Sequence, residues 1–207
     1  MAEVVIKDVG VADYKGCLDM QLGLLAKRQN GEIENTVLLV EHPDVITLGA
    51  RGEKNIVKDA ADVEVVNLRR GGGATAHNPG QIVVYPIVDL KSLSLGVNEY
   101  VRTLESIGIE LLASFGLECE RKKGLPGLWV GEKKVASIGV KIKKWVTYHG
   151  LAINIFNDLS IFDKIVPCGI ADVEMTSLLK ETGEKVEMSE VKEVLRKILE
   201  SHFLIAD

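Results

Sequence analysis

Residues 128–155 read LWVGEKKVASIGVKIKKWVTYHGLAINI, and this stretch decides the fold class. It contains three apolar runs of strand length, Leu128–Val130, Val135–Ile142 and Trp145–Ile155, which are separated by short charged connections. Connections of this kind join neighbouring strands as hairpins. We therefore predict three successive antiparallel strands.

Outside this stretch, helices and strands follow one another in groups. Apolar residues recur at helical spacing over Tyr14–Gln29, Val97–Phe115 and Ser189–Phe203, which predicts three helices. Short apolar runs predict further strands at Val37–Val40, Val45–Leu48, Val63–Leu68 and Ile82–Val88. Because the helices lie between groups of strands, the prediction is an α+β fold, with helices packed against a mixed, largely antiparallel sheet.

Length and charge narrow the class of protein. The 207 residues contain no Pro/Ser-rich linker, so we predict a single domain over 1–207, with the helix at 189–203 as a C-terminal appendage. A net charge of −5 argues against nucleic-acid binding. No apolar run approaches the roughly 20 residues of a membrane span, and the N-terminal residues lack the pattern of a secretory signal. A cytoplasmic protein that binds no membrane is the expectation.

The number and spacing of the cysteines and histidines argue against structural disulfides and metal sites. The three cysteines show no CxxC spacing, which predicts neither a disulfide framework nor a zinc ribbon. The four histidines show no tight ligand spacing, so no metal site is predicted. Cys17 and Cys119 lie beside apolar positions and are interpreted as small buried hydrophobic residues.

A glycine-rich segment at 69–81, RRGGGATAHNPGQ, follows one of the predicted strands. Three consecutive glycines let the backbone approach a ligand closely, with amides free to donate. Arg69 and Arg70 are placed to hold an anionic or polar group. A flexible surface turn is an equally compatible interpretation. The segment lacks the GK[ST] ending of a phosphate-binding loop, which argues against nucleotide hydrolysis of that type.

Cys168 stands between proline and glycine in VPCGI at 166–170, a setting that predicts a shaped loop. A free thiol has a pKa of about 8.5 and is only slightly ionised at neutral pH, so a nucleophilic role requires a neighbour that stabilises the thiolate. Lys134 and His149 are the candidates. Two alternatives stay open, because the lysine can extend outward from its strand end and the histidine can be purely structural.

Four segments, taken together and in order, resemble the lipoyl(octanoyl) transferase family, which shares its fold group with lipoate and biotin protein ligases. The resemblance covers about residues 36–180, and a biotin/lipoate protein ligase-like fold is what it implies. It is carried by Arg70–His77 with Pro79-Gly80-Gln81, by Lys134–Val140, by His149–Asn154, and by Pro167–Ile170 with Thr176-Ser177-Leu178.

The resemblance implies an acyl transfer in two steps. An octanoyl (or lipoyl) group carried as a thioester on acyl carrier protein moves to Cys168, which matches the family's nucleophile. A lysine of a lipoyl domain then takes it, in a 2-oxoacid dehydrogenase or the glycine cleavage H protein. Lys134 matches the family's companion lysine, whose ammonium favours the thiolate and whose neutral amine can later accept a proton. Neither ATP nor another cofactor is expected, since a thioester is already an activated donor.

The resemblance also implies which residues form the acyl site. Many of them are small, which leaves room for a narrow apolar tunnel. Ala76 and Asn78 replace the aromatic residue and the glycine usual in the family, so the shape of the pocket should differ here. The implied set is Arg70, Gly71, Gly72, Gly73, Ala74, Thr75, Ala76, His77, Ser137, Ile138, Gly139, Gly150, Leu151 and Ala152.

Two other functions remain compatible with these residues. One is an ATP-dependent lipoate–protein ligase on the same fold, which would need no cysteine at position 168. The other is a non-catalytic module that binds lipoyl domains or acyl carriers, in which Cys168 is inert. Formation of an octanoyl adduct at Cys168 without ATP would distinguish the transferase from both.

The expected protein partners are acidic, and so is this chain as a whole. Docking would then depend on local basic clusters such as Arg121-Lys122-Lys123 and Lys141 to Lys144. We expect some of Lys122, Lys123, Lys143 and Lys144 to steer the acyl carrier, while solvated strand ends are the alternative. The protein is expected to act as a monomer.

Overall fold

The structure, a computed structural model, describes residues 4–52, 57–58, 60–68, 70–167 and 173–203. Within these ranges the strands are β1 (Val5–Val11), β2 (Thr36–Glu41), β3 (Val45–Leu48), β4 (Glu64–Asn67), β5 (Thr75–His77), β6 (Gln81–Ile87), β7 (Glu120–Lys122), β8 (Leu125–Val130), β9 (Lys133–Lys143) and β10 (Val146–Asn154). The helices are α1 (Tyr14–Gln29), α2 (Val97–Ser114), a 3₁₀ helix (Leu159–Lys164), α3 (Leu178–Thr182) and α4 (Met188–Phe203).

Two sheets organise these strands. In the described parts of the chain the main sheet has seven strands in the order β1-β2-β6-β10-β9-β8-β7, in which β1 and β2 pair in parallel and the other neighbours pair antiparallel. The second sheet has the order β4-β3-β5, with β3 parallel to β4 and antiparallel to β5. The predicted α+β fold with a mixed, largely antiparallel sheet is confirmed, and so are the successive antiparallel strands β8, β9 and β10.

The β9–β10 hairpin shows why its strands are in register. Val146 pairs with Lys143, so the connection is the two-residue loop Lys144-Trp145. Both loop residues have positive φ, 50° and 69°. Loops with two positive φ values match the right-handed twist of the flanking strands. Strand β10 therefore begins at Val146, one residue later than the apolar run suggested.

Helices cover both faces of the main sheet. Helices α2 and α4 pack together against one face, where α4 buries Val191, Leu195, Leu199 and Phe203 completely in the largest apolar cluster. Burial of each such side chain favours folding by roughly 2 kcal/mol. Helix α4 is thus a layer of the main core, although the sequence suggested an appendage. Helix α1 packs on the opposite face, against β6 and β10.

In the part of the chain that the structure describes, every helix is too short or too polar to cross a membrane.

Candidate active site

A cavity of about 410 Å³, including its open side, lies on the face of the main sheet that α1 covers. Its floor is formed by β6, β9 and β10, and its walls by α1, β5 and the glycine-rich turn before β5. Ten residues of the acyl site implied by the sequence line this cavity: Arg70, Gly72, Thr75, His77, Ser137, Ile138, Gly139, Gly150, Leu151 and Ala152.

Two of the expected lining residues face elsewhere. Side chains alternate along a strand, and in β5 it is Thr75 and His77 that face the cavity. Ala74 and Ala76 are fully buried on the opposite side, in the apolar cluster that contains Phe162. This corrects the expectation for the two alanines, and it means that Ala76 cannot shape the cavity by direct contact.

The glycine-rich turn closes over β9. The Gly71 amide donates to the Val140 carbonyl at 2.9 Å, and a Cβ placed on Gly139 would lie 3.0 Å from the Gly71 carbonyl oxygen. Only residues without side chains allow the two backbones to approach this closely. Among the described residues, Gly71 and Gly73 support this wall but do not line the cavity.

Arg70 is buried and ties the glycine-rich turn to the second sheet. Its Nη2 donates to the carbonyl and the hydroxyl of Thr47 at 2.8 and 2.7 Å, and its Nη1 donates to the Gly71 carbonyl at 3.0 Å. Several N–H donors of the guanidinium are therefore used in hydrogen bonds that hold the cavity wall in place. Arg69 lies outside the described residues.

The imidazole of His77 has a defined tautomer. Gln81 uses its Nε2 to donate to the Asn154 side chain at 2.8 Å, so its Oε1 accepts from His77 Nδ1 at 2.7 Å. Burial, and next the neighbouring His42, hold the pKa of His77 well below its usual value. His77 is thus neutral, with Nε2 available as an acceptor at the cavity.

His42 lies behind His77 and is also neutral. Its Nδ1 donates to the Ala12 carbonyl at 2.7 Å, and its Nε2 accepts from the Tyr85 hydroxyl at 3.0 Å. Burial lowers the pKa of His42. The ring centres of His42 and His77 are 5.6 Å apart, so charging either imidazole would disfavour charge on the other.

His149 occupies a strained position in the middle of β10. Its φ is +56°, a value that residues with a side chain rarely adopt. Its amide donates to the Gln21 side chain at 2.9 Å, and its ring stacks on Tyr148. Burial, followed by the charges of Arg70 and Lys141, lowers the pKa of His149 to about 3. The interpretation of His149 as a purely structural residue is therefore incomplete, because its side chain also lines the cavity.

Sequence reasoning missed three residues of the cavity. They are Tyr14, Val83 and Tyr85, which come from α1 and β6. No local pattern distinguished these three from ordinary core residues. His149 was a candidate partner of the Cys168 thiol, and the structure places it in the cavity lining.

Lys134 is buried, with 1% of its surface exposed, and it lies on the cavity face of the sheet. Leu128 pairs with Ala136 while Trp129 pairs with Lys134, so β9 carries one extra residue, Val135, at this point. This β-bulge places Lys134 on the face of Trp129, which is opposite to the face of Leu128 and α2. Without it, Lys134 and the cavity residue Ser137 would point to opposite faces. The alternative of an outward-facing lysine is therefore wrong.

Gly127 makes room for the Lys134 side chain. Its φ is +122°, and a Cβ added there would contact the Ala136 carbonyl and lie 2.7 Å from Lys134 Cε. On the other side, Lys134 Nζ lies 5.3 Å from the centre of the Trp129 ring. The ammonium is thus held between a glycine and an aromatic face, an arrangement that suits a cation.

Replacing Gly127 by alanine is expected to misplace Lys134. The strained φ and the new contacts should lower the free energy of unfolding by about 1–3 kcal/mol. In an acyl-transfer assay the folded protein should also lose about tenfold or more in activity, which is the loss expected when a group that acts on the reaction shifts by about 1 Å. Denaturant unfolding and steady-state assays measure the two effects.

Gly131→Ala is the matched control for Gly127→Ala. Gly131 has φ +55°, and a Cβ there would meet no atom within 4 Å. This control should lose stability but keep its activity per folded molecule. Equal activity losses in the two variants would contradict the positioning role of Gly127.

The backbone of Lys134 is bonded to the segment that follows the Cys168 region. The Lys134 amide donates to the Glu174 carbonyl at 2.8 Å, and the Thr176 amide donates to the Lys134 carbonyl at 2.9 Å. Pro167 and Val173 line the same surface depression as Glu174. Cys168 itself lies outside the described residues. The two described ends of its segment are therefore both close to the strand end that carries Lys134.

A buried polar network connects this segment to the cavity. Asn154 donates from Nδ2 to the Thr176 carbonyl at 2.9 Å, and its Oδ1 accepts from Gln81, which in turn accepts from His77. Every link is a buried hydrogen bond, so loss of one partner would leave its neighbour unsatisfied. The network fixes the segment after Cys168 relative to the cavity wall.

The other two cysteines are unsuited to nucleophilic chemistry. Cys17 is buried and Cys119 is partly buried, and burial raises the pKa of each thiol to about 11. Both thiols therefore remain protonated at neutral pH. The interpretation as a small buried hydrophobic residue is confirmed for Cys17, whereas Cys119 packs against the main core but is only partly buried.

Comparison with known proteins decides the family. Residues 13–200 match the model of the lipoyl protein ligase A/B catalytic domain. A relative from Geobacter sp. (strain M21), named octanoyltransferase, is 42% identical over 192 residues, which cover 93% of each chain. The chain belongs to the octanoyltransferase family. The family resemblance seen in the sequence is confirmed.

Membership in this family settles the class of activity. The chain is an enzyme that transfers octanoyl or lipoyl groups in protein lipoylation, with an acyl donor and a lipoyl-domain acceptor. Of the functions left open by the sequence, the transferase is supported and the non-catalytic module is not.

Solved structures show the same fold at low sequence identity. The P. falciparum LipL1, in complex with lipoate, matches with a TM-score of 0.74 and 16% identity, over 97% of this chain and 62% of that one. The biotin protein ligase from Aquifex aeolicus matches with a TM-score of 0.52 and 14% identity, over 98% of this chain and 69% of that one. The predicted biotin/lipoate protein ligase-like fold is confirmed.

Proposed function

We propose that this octanoyltransferase takes an octanoyl (or lipoyl) group from acyl carrier protein and passes it to a lipoyl-domain lysine through a thioester on Cys168. The observation that carries the proposal is the placement of Lys134. It is a buried cation on the cavity face, and its backbone is bonded to the segment just beyond Cys168.

In the first step the Cys168 thiolate attacks the carbonyl carbon of the donor thioester. The bond between that carbon and the carrier sulfur breaks, and the acyl group is left on Cys168. The charged Lys134 favours the attacking thiolate and then gives a proton to the departing carrier thiolate. Each unit by which an ammonium depresses a thiol pKa corresponds to about 1.4 kcal/mol.

In the second step the acceptor amine attacks the carbonyl carbon of the acyl-enzyme. The carbon–nitrogen bond forms, and the carbon–sulfur bond to Cys168 breaks. The neutral Lys134 accepts the proton that the amine loses, which restores the ammonium and thiolate of the resting enzyme. Conversion of a thioester to an amide is favourable, so the cycle needs no ATP.

The cavity is the proposed site of the acyl chain. Apolar side chains of Val83 and Ala152 line it, and Gly139 and Gly150 keep it open on the β9–β10 floor. The polar groups of Thr75 and Ser137 also reach it. An apolar cavity with a few placed polar groups is typical of a site for a mostly apolar ligand.

The finer identity of the partners belongs to the same proposal. The donor is octanoyl-acyl carrier protein, and the acceptors are lipoyl domains of 2-oxoacid dehydrogenases or the glycine cleavage H protein. We further propose that the enzyme acts as a monomer in the cytoplasm, where reducing conditions keep the Cys168 thiol available.

Intact-mass spectrometry tests the acyl-enzyme directly. The enzyme is incubated with octanoyl-acyl carrier protein without ATP, and it should gain the mass of one octanoyl group. Peptide mapping should place the adduct on Cys168. Addition of a lipoyl domain should remove the adduct and transfer the same mass to that domain. An adduct that needs ATP, or one found on another residue, would refute the proposal.

A further inference from the structure

We infer that a basic groove between α2 and the β7–β8 hairpin is the docking surface for the acidic acyl carrier protein; this rests on the proposed function. The groove encloses about 1560 Å³, including its open side. Its lining carries five basic side chains, Arg51, Arg102, Arg121, Lys122 and Lys123, against one carboxylate, Glu105. The chain as a whole has a net charge of −5, so the groove carries an excess of positive charge on a protein that is negative overall.

Part of this basic charge is already paired within the protein. Arg121 Nε lies 3.1 Å from Glu105, and Lys122 Nζ lies 2.6 Å from the highly exposed Glu132. Among the described residues, no carboxylate lies within ion-pair distance of the other three, Arg51, Arg102 and Lys123, which are all exposed. Their charges are therefore available to an anionic partner.

The groove leads to the site described above. On one side, Lys122 and Lys134 place their ammonium groups 5.0 and 5.3 Å from the centre of the same Trp129 ring. Pro126 lines the groove and is followed directly by Gly127, which packs against Lys134. A partner in the groove would therefore lie next to the proposed catalytic lysine.

The opposite side of the groove reaches the cavity wall. The Arg51 amide donates to the carbonyl of Gly72, a residue that lines the cavity, at 3.3 Å. The groove thus borders both the proposed acid–base group and the acyl cavity. A surface that is continuous with both is where a donor must lie if its acyl chain is to enter the cavity.

The donor fits this groove better than the acceptor does. The acyl group of a carrier protein sits at the end of a long arm that bears a phosphate, and guanidinium groups bind phosphate with paired hydrogen bonds. An open groove that holds Arg51 and Arg102 suits such an arm, with the acidic face of the carrier on Lys123. An acceptor lysine brings only its own short side chain and no phosphate.

The structure also separates two groups of lysines that the sequence treated together. Lys122 and Lys123 lie in the groove, whereas Lys143 and Lys144 lie at the far end of β9. The eleven residues of β9 span roughly 35 Å. Steering of the carrier is therefore assigned to the first pair alone.

Binding measurements test the groove without requiring acyl transfer. The affinity of octanoyl-acyl carrier protein for the full chain is measured by fluorescence anisotropy, in a Cys168→Ala background that prevents turnover. The double variant Arg102→Glu/Lys123→Glu should weaken binding about tenfold or more at low salt, and the difference should shrink as salt rises. Lys27→Glu/Lys185→Glu makes the same change of charge at exposed positions outside the groove, and it should bind as tightly as the parent.

Three outcomes would overturn the inference. Carrier affinity could be unchanged by the groove variant, or it could fall when Lys143 and Lys144 are reversed instead. Weaker binding of a lipoyl domain, with unchanged carrier binding, would assign the groove to the acceptor.

Acylation by a small uncharged octanoyl thioester distinguishes an effect on carrier docking from an effect on the acyl-transfer reaction. With Cys168 present, this donor should acylate the groove variant and the wild type at equal rates. Slower acylation of the groove variant would show that the groove residues act on the reaction itself. Failure of the wild type to be acylated would count against the acyl-enzyme, whereas the groove would still be judged by carrier binding.

Discussion

Replacing Cys168 by alanine is expected to abolish the octanoyl adduct and to lower transfer to a lipoyl domain by about 10³-fold or more. Loss of a nucleophile removes the covalent route completely and leaves only binding and positioning. No other described cysteine can take over, because burial raises the thiol pKa of both Cys17 and Cys119 to about 11. Single-turnover transfer from octanoyl-acyl carrier protein, followed by mass spectrometry, measures both effects.

Cys119→Ala is the control for this experiment. It also removes one sulfur, from a partly buried position beside the main core, and it should keep the adduct and nearly the full rate. If Cys168→Ala retained rapid transfer without an adduct, the acyl group would have to pass directly from the carrier to the acceptor lysine. The two-step mechanism would then be abandoned.

The parts of the fold that the sequence predicted are those with local causes. Helix α1 runs from Tyr14 to Gln29 as its apolar spacing indicates, and its start is capped by Asp13, which accepts from the Gly16 amide. The β9–β10 hairpin follows from two apolar runs joined by a tight loop. Both signals depend only on residues close in the chain, so the sequence carries them directly.

Short elements escaped prediction because their stability comes from distant partners. Strand β5 has three residues, inside a segment interpreted as a ligand loop, and it exists because it pairs with β3. Strand β1 lies at the sheet edge and is held by parallel pairing with β2. Neither has enough apolar periodicity of its own to mark it as a strand.

The candidate site also combines features with local causes and features that depend on distant partners, and Lys134 shows the difference most clearly. The resemblance pointed to Lys134, but the face on which its side chain lies depends on the β-bulge at Val135. The bulge arises from the register between β8 and β9, which are paired across the sheet. Simple alternation along β9 would place Lys134 and Ser137 on opposite faces. The face on which Lys134 lies depends on how β8 and β9 pair, so the pattern of β9 alone cannot predict it.

The neutral histidines also depend on tertiary structure. His42, His77 and His149 come from three distant segments, and burial is the largest cause of the lowered pKa in each. In sequence they look like isolated residues with ordinary pKa values near 6.5. In the fold His77 and His149 give the cavity a polar end without ionised imidazoles, and His42 lies behind His77. A polar end of this kind suits a ligand that carries no charge along its chain.

Replacing Lys134 by methionine is expected to lower the rate of acyl transfer by about 10²- to 10⁴-fold, which is the range for loss of a general acid–base group. Methionine keeps an unbranched apolar side chain between Gly127 and Trp129, so the buried site stays filled. The cation–π contact with Trp129 is lost with the ammonium. The variant should therefore fold, as judged by its thermal unfolding.

Lys133→Met is the matched control, because the neighbouring Lys133 is partly exposed and paired with Glu181 at 3.2 Å. It should keep the wild-type rate within a few-fold, since an exposed ion pair contributes little. A purely structural role of Lys134 would leave the pH dependence unchanged. Removal of an acid–base group should instead alter the pH–rate profile of both half-reactions, and added small amines should restore part of the rate. A Lys134→Met enzyme with the wild-type pH profile and no response to amines would show that the lysine does not move protons.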